Sequence, residues 1–322
     1  MVNRKKVTKD TANKINNFLK FTSDLILDFS ERDFSLVANS KCASAALYSL
    51  KVGGKRLRPA LVLASAIAFS NEDINADWHK KNFRLKTQSG EEIEAKDIIA
   101  VASAFEYIHT YSLIHDDLPV MDNDSLRRGR LSCHIKFGVP IAVTAGIYLI
   151  LKAFSALNKT ELKRRRAAIE ILRRASGIDG MVMGQALDIL GEKRGVSSDE
   201  LVMIHEHKTA ALIQGAILAG AVVMDASSDE VKLLEKVGQS AGLAFQIVDD
   251  ILDVESTSLL MGKPVGADSA KGKSTYPAII GLEESKKKAC GLIEESFNGL
   301  NKLGKENTIL FSLISYVLKR EN

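Results

Sequence analysis

Two clusters of aspartates carry the chemistry this chain can do. The first is His115-Asp116-Asp117-Leu118-Pro119-Val120-Met121-Asp122-Asn123-Asp124, followed at once by Arg127-Arg128-Gly129. Carboxylates this close repel one another, and a divalent cation, a hard acid that takes oxygen ligands, relieves the repulsion. Taken alone, the stretch reads more readily as an acidic surface loop, and it is a second cluster that turns the reading toward a metal. The second cluster, Asp249-Asp250-Ile251-Leu252-Asp253, sits inside the apolar run from Gly242 to Val254, which has no proline and no turn cluster and so reads as helix. There Asp249 and Asp253 are i and i+4, Asp250 and Asp253 are i and i+3, and Gln246 lies one turn earlier on nearly the same face. Like charges at that spacing destabilise a helix and resist burial. They imply a metal or a polar cavity lined by several helices, with a solvated acidic stripe as the alternative. Together the clusters suggest a diphosphate held between them by Mg2+, which keeps some of its waters and binds through a few carboxylates plus phosphate oxygens.

Basic residues should close such a site. Gly53-Gly54-Lys55-Arg56-Leu57-Arg58-Pro59 is a basic, glycine-opened turn leading into an apolar helix from Ala60 to Phe69. Amides at a helix start with cations beside them form an anion site, and arginine offers two parallel donors to phosphate oxygens. From Lys96 an apolar helix runs into the first aspartate cluster, and His109 and Tyr111 stand within two turns of Asp116, placed to look into the same cavity.

The elements that must position these groups are helical. Length alone allows two domains, but 322 residues with 46% hydrophobic and 26% charged side chains, five prolines and repeated helical periodicity point to one large all-α domain. Residues 12 to 50 read as helices with Leu19, Phe21, Leu25, Ile26 and Phe29 on one stripe and a break near Ser30 to Asp33. Residues 1 to 12 are expected to be disordered or weakly ordered, and 71 to 96 to be a polar surface connection with a hairpin in it. Met181, Met183 and Met203 read as core filler. Met261 to Asp268 reads as a loop able to close over bound diphosphate. A net charge of +4 gives no case for a nucleic-acid protein. Cys42, Cys133 and Cys290 are odd in number and unpaired in motif, which suits a reducing compartment. With no apolar leader and no run of 18 apolar residues, the expectation is a cytoplasmic protein without stable membrane insertion.

The ordered series Gly53–Pro59, Asp116–Asp122 with Arg127-Arg128-Gly129, Gly184-Gln185-Ala186-Leu187-Asp188, Lys208-Thr209, Phe245–Asp253 and Lys273-Ser274-Thr275-Tyr276-Pro277 resembles the trans-isoprenyl diphosphate synthases, in particular their bacterial farnesyl diphosphate synthase branch. The resemblance runs from about residue 40 to the C-terminus. It implies a helical bundle around a central cavity, a homodimer, and head-to-tail condensation of isopentenyl diphosphate with dimethylallyl or geranyl diphosphate, using about three Mg2+ ions. Carried over by residue, it implies that Asp116 and Asp122 hold two ions with Asp117 in support, and that Asp249 holds the third with Asp250 beside it. Arg127, Lys208 and Lys263 would hold the allylic diphosphate, with Thr209, Gln246 and Lys273 alongside, while Lys55, Arg58, His109 and Arg128 would hold the diphosphate of the other substrate. Tyr111 and Ser112, five and four residues before Asp116, would set product length. An aromatic at Tyr111 resembles synthases that stop at C15, and small residues there resemble those that reach C20.

The pattern is broken after Lys136-Phe137-Gly138, where Val139-Pro140 and Gly146-Ile147-Tyr148 replace an acid and a Gly-Asp-Ala segment. Neither break touches an inferred ligand. The competing readings are a geranylgeranyl diphosphate synthase, a class I terpene cyclase, which would not need the Lys55 and Arg58 cradle, a non-catalytic subunit, which would have lost acids or cradle residues, and a plain divalent-ion module, which leaves the arginines unexplained.

Overall fold

The computed structural model describes residues 9–35, 40–71, 82–192, 194–255 and 274–318. Its helices are α1 (Lys9–Phe34), α2 (Lys41–Lys51), α3 (Leu57–Phe69), α4 (Ala95–Asp116), α5 (Cys133–Phe137), α6 (Val139–Asn158), α7 (Arg165–Ser176), α8 (Met181–Gly191), α9 (Ser198–His205), α10 (Ala211–Val223), α11 (Ser228–Glu255), α12 (Tyr276–Ile280), α13 (Leu282–Lys302) and α14 (Ile309–Leu318). A π-helical turn, Glu206–Ala210, joins α9 to α10. Two short hairpins, β1 (Arg84–Lys86) with β2 (Glu92–Glu94) and β3 (Leu126–Arg127) with β4 (Arg130–Leu131), are the sheet among the described residues.

The chain forms two compact units. One comprises Leu19–Leu172 and Ala219–Asp225, the other Met1–Phe18, Arg173–Leu218 and Ala226–Asn322. In the first, α4 packs most extensively on α6 and also on α3, while α2 packs on α6. Because α3 and α4 are buried nearly all round, they are apolar on every face rather than striped. In the second, α11 packs on α13, and the π-turn sits against α8, α9 and α11. Both helices that lead toward the second cluster start on capping boxes: Ser197 accepts from Glu200 N at 3.3 Å while Glu200 accepts from Ser197 N at 2.9 Å, and Ser227 with Glu230 repeats the exchange before α11.

Several sequence expectations shift. Helix α1 runs unbroken past Ser30 to Phe34, and the buried Ser30 hydroxyl is satisfied within the helix by Ile26 O at 2.6 Å. It also begins at Lys9, so residues 9 to 12 are helical. The expected hairpin is present, with Leu85 opposite Ile93 on its buried face. Met181 is buried, but Met183 and Met203 are exposed, on helix faces turned away from the core. Cys133 is buried and Cys290 exposed, and none of the three cysteines forms a disulfide. Helix α6 is long and apolar enough to span a membrane by length and composition. Its one charge, Lys152, is bonded at 2.7 Å both to the Asp33 carboxylate and to its carbonyl, which ties α6 into the protein. Lys263, Lys273, the Met261 to Asp268 stretch and Trp78 lie outside the described residues.

Candidate diphosphate and cation site

The first cluster is made by the end of a helix turning back on itself. After α4 closes at Asp116, Leu118 N donates to His115 O at 3.1 Å, and Asn123, at φ 52°, donates to Leu118 O at 3.1 Å. The turn so formed brings Asp122 N onto Asp116 O at 2.9 Å, with buried Leu118 as its anchor. Two partly buried carboxylates are thus set side by side in backbone terms at the negative end of a helix dipole, a place that favours positive charge. Asp117, 2% exposed, points inward. It accepts from Arg127 Nε at 3.0 and 3.3 Å and from Nη2, and burial pushes its carboxyl above the ordinary range even with the guanidinium beside it.

Arg127 is delivered by the hairpin β3–β4. Its two-residue turn is Arg128-Gly129, both at positive φ (52° and 75°), the pattern of a type I′ turn whose second position favours glycine. From that turn Arg128 reaches back to donate to Gly53 O. The basic turn itself is locked by a residue that motif reading passed over. Arg56, 4% exposed, pairs with Glu106 of α4 at 2.5 Å and donates to Leu50 O. Glu106 in the middle of the apolar run of α4 was the available signal, since a buried acid there requires a partner. Lys55 is exposed and Arg58 partly buried, both on the same basic segment. His109, one turn before the end of α4's buried stretch, is held well below the ordinary histidine value, first by burial and then by the charges of Arg58, Arg128, Arg56 and Arg127. A neutral imidazole inside the field of four arginines marks a place prepared for an anion.

Tyr111 stands edge-on to His115, ring centroids 5.7 Å apart, and the His115 Nε2 lies 3.1 Å from Val143 O of α6. Gly146 leaves room for that imidazole, since a methyl group there would collide with the ring. Ser112 turns its hydroxyl back to His109 O at 2.9 Å. The Ile147 that replaces an expected acid is 48% exposed, so the change costs no buried partner.

The second cluster ends α11. Asp249 is partly buried, whereas Asp250 and Asp253 are 4% and 6% exposed. Asp250 is held by neutral donors: Gln246 Nε2 at 3.0 Å and Tyr276 N at 3.0 Å. Thr209 in turn donates to Gln246 Oε1 at 2.8 Å. Lys208 pairs with Asp188 of α8, giving the Gly184–Asp188 segment a function as counter-ion. Gly184 and Gly242 flank the π-turn, where a side chain would strike the backbone of Lys208 and of Ala210 respectively. His205 Nε2 lies 3.9 Å from Asp250, and burial lowers this histidine to about 4, so the contact is not an ion pair near neutrality. The Tyr276 ring lies tilted beside it, centroids 5.4 Å apart, and its hydroxyl is pushed up to about 12, chiefly by burial.

Among the described residues no three His, Cys, Asp or Glu side chains converge tightly enough to form a complete metal site. The donors on offer are carboxylate oxygens at helix C-termini, the set that suits Mg2+ taking its remaining ligands from water and substrate phosphate.

The model of the polyprenyl synthetase family matches residues 39–308, and the chain belongs to that family. It is 40% identical to the farnesyl diphosphate synthase of Micrococcus luteus over 285 residues, covering 88% of this chain and 90% of that one. It is also 40% identical to the farnesyl diphosphate synthase of Escherichia coli over 291 residues, with the same coverage. A solved geranyltransferase from Helicobacter pylori, complexed with magnesium and isoprenyl diphosphate, superposes with a TM-score of 0.72 at 31% identity, over 93% of this chain and 96% of that one.

Proposed function

We propose that the chain is a prenyltransferase that condenses isopentenyl diphosphate head to tail with dimethylallyl or geranyl diphosphate, giving farnesyl diphosphate and diphosphate. The observation that carries the reading is the acidic turn at the end of α4, backed in the same unit by arginines gathered around His109, which burial and their charges together hold well below the ordinary histidine value. Family membership and the two bacterial relatives support it, as does the magnesium and isoprenyl diphosphate named for the structural neighbour.

In this reading Asp116 and Asp122 hold two Mg2+ ions and Asp249 a third. When bound, the ions neutralise the diphosphate that leaves as the allylic carbon–oxygen bond ionises. Arg127, Lys208 and Lys263 bind that diphosphate, with Thr209, Gln246 and Lys273 beside them. Lys55, Arg58, His109 and Arg128 hold the second substrate, so that its double bond meets the allylic cation and the new carbon–carbon bond forms. Positioning supplies much of the rate. The proton then lost from isopentenyl diphosphate passes to the released diphosphate, so no protein base is required. Tyr111, its ring braced by His115, is the floor that stops growth at C15.

All of this belongs to one catalytic domain working in the cytoplasm as a homodimer. The apolar side chains of Ile135, Val139, Ile147 and Leu151, each 40% or more exposed along α5 and α6, are the face we assign to the partner copy. A mass in solution near twice 35.1 kDa supports that assignment, and a mass near 35.1 kDa removes it.

Product analysis tests the reading directly. Incubated with isopentenyl diphosphate and geranyl diphosphate, the protein should make a C15 product with Mg2+ and none with EDTA, and Tyr111→Ala should lengthen it. A C20 product from the natural chain keeps the chemistry and removes the Tyr111 floor. No condensation with either primer brings the non-catalytic subunit forward.

A further inference from the structure

The hydrogen-bond chain around the second aspartate pair can run in only one direction. Asp250 accepts at both oxygens, from Gln246 Nε2 at 3.0 Å and from Tyr276 N at 3.0 Å. A backbone N–H can only donate, and a carboxylate only accepts, so the end of Gln246 that faces Asp250 has to be its amide nitrogen. The Gln246 carbonyl oxygen then faces Thr209, whose hydroxyl donates to it at 2.8 Å. A hydroxyl has one proton, and Thr209 has used it. Toward a bound anion Thr209 therefore offers lone pairs alone, while the second amide hydrogen of Gln246 remains available.

We infer that Asp250 is a positioning residue: through Gln246 it fixes which donor meets the allylic diphosphate, and it is not itself an ion ligand. Its surroundings agree with that role. It is 4% exposed, whereas Asp249, the neighbouring carboxylate, is partly buried and one helical position round. The same carboxylate holds the backbone of Tyr276 at the start of α12, so it ties α11 to α12 directly and reaches the π-turn only through Gln246 and Thr209. The inference rests on the proposed diphosphate site and adds to it a direction of donation. Gln246 donates, Thr209 orients, and reversing the amide would set its oxygen against a carboxylate.

The test uses the full chain with Asp250→Asn, Gln246→Leu and the double variant. Two quantities are measured: kcat/KM for geranyl diphosphate, and calorimetric binding of inorganic diphosphate as Mg2+ is varied. Each single change should weaken diphosphate binding by about tenfold, the loss of one hydrogen bond to a charged group. The double variant should be no weaker than Gln246→Leu alone, and the Mg2+ concentration for half-maximal binding should stay within about twofold of the natural chain. Losses that multiply in the double variant, or a Mg2+ requirement raised about tenfold by Asp250→Asn, would overturn the inference. If Asp250→Asn loses its thermal transition, the same cycle is run between Thr209→Val and Gln246→Leu. Non-additivity with recovery in Thr209→Ser supports the chain, and additivity overturns it. Binding of inorganic diphosphate is read without turnover, so a chain that fails to condense prenyl substrates fails the functional proposal separately from this one.

Discussion

The pairs Asp116-Asp117 and Asp249-Asp250 read alike in sequence, yet the molecule holds them in opposite ways. In the first, the inward carboxylate is met by a full charge, Arg127, carried on a hairpin. In the second, the hydrogen bonds that the inward carboxylate accepts among the described residues come from an amide and a backbone N–H. An ion pair is strong but adjustable, because a guanidinium can exchange a carboxylate for a phosphate of the same geometry. Neutral donors confined by helix packing have no such alternative. The first region is therefore arranged to trade partners when an anion arrives, and the second to keep its geometry whether or not one is present.

The largest effect that would sharpen this contrast is Asp116→Asn, which should lower turnover by about a thousandfold or more while leaving the melting temperature near that of the natural chain. An undiminished rate would break the assignment of that turn to the ions. Next comes Arg56→Met, which leaves Glu106 buried and uncompensated. It should cost about 3–5 kcal/mol in chemical denaturation, whereas Asp188→Asn, opposite the more exposed Lys208, should cost about 1 kcal/mol or less. Equal losses would mean that the two regions are braced alike.

A further effect is one of pH. His205 is lowered to about 4 when folded and returns to the ordinary value near 6.5 when unfolded, so between those values the unfolded chain binds the extra proton. Stability from this group is fully present above about pH 6.5 and falls as pH drops toward 4, by about 3 kcal/mol in all. Denaturation midpoints of His205→Leu should show a flatter acid limb. His109 adds a loss of the same sign, driven there by burial among arginines, and a diphosphate bound beside it should reduce that loss.

Much of this was legible beforehand for a physical reason. Aspartates at helical spacing, a glycine-opened basic turn and an Arg-Arg-Gly hairpin are local patterns, and local patterns survive in a linear sequence. The α11 helix, the α4 helix running to Asp116 and the 84–94 hairpin all follow from periodicity and turn residues. What could not be seen were partners distant in the chain. Arg56 finds Glu106, Lys208 finds Asp188, and Asp250 finds residue 276, each through packing that spacing does not encode. The break expected near Ser30 failed for a related reason: a serine that favours turns in isolation was satisfied by its own helix.

The π-turn at Glu206–Ala210 has a consequence for how this segment tolerates change in length. A π-turn is an α-helix carrying one surplus residue, and each residue in a helix advances the azimuth by about 100°. Removing one residue from 206–210 would restore an unbroken helix from α9 into α10, and by local measures a more regular one. Every side chain beyond the deletion would then be out of phase with its neighbours by that angle, and Ala210 would no longer meet the groove left by Gly242. The irregularity is a phase adjuster, and Gly184 and Gly242 are the clearances machined for it.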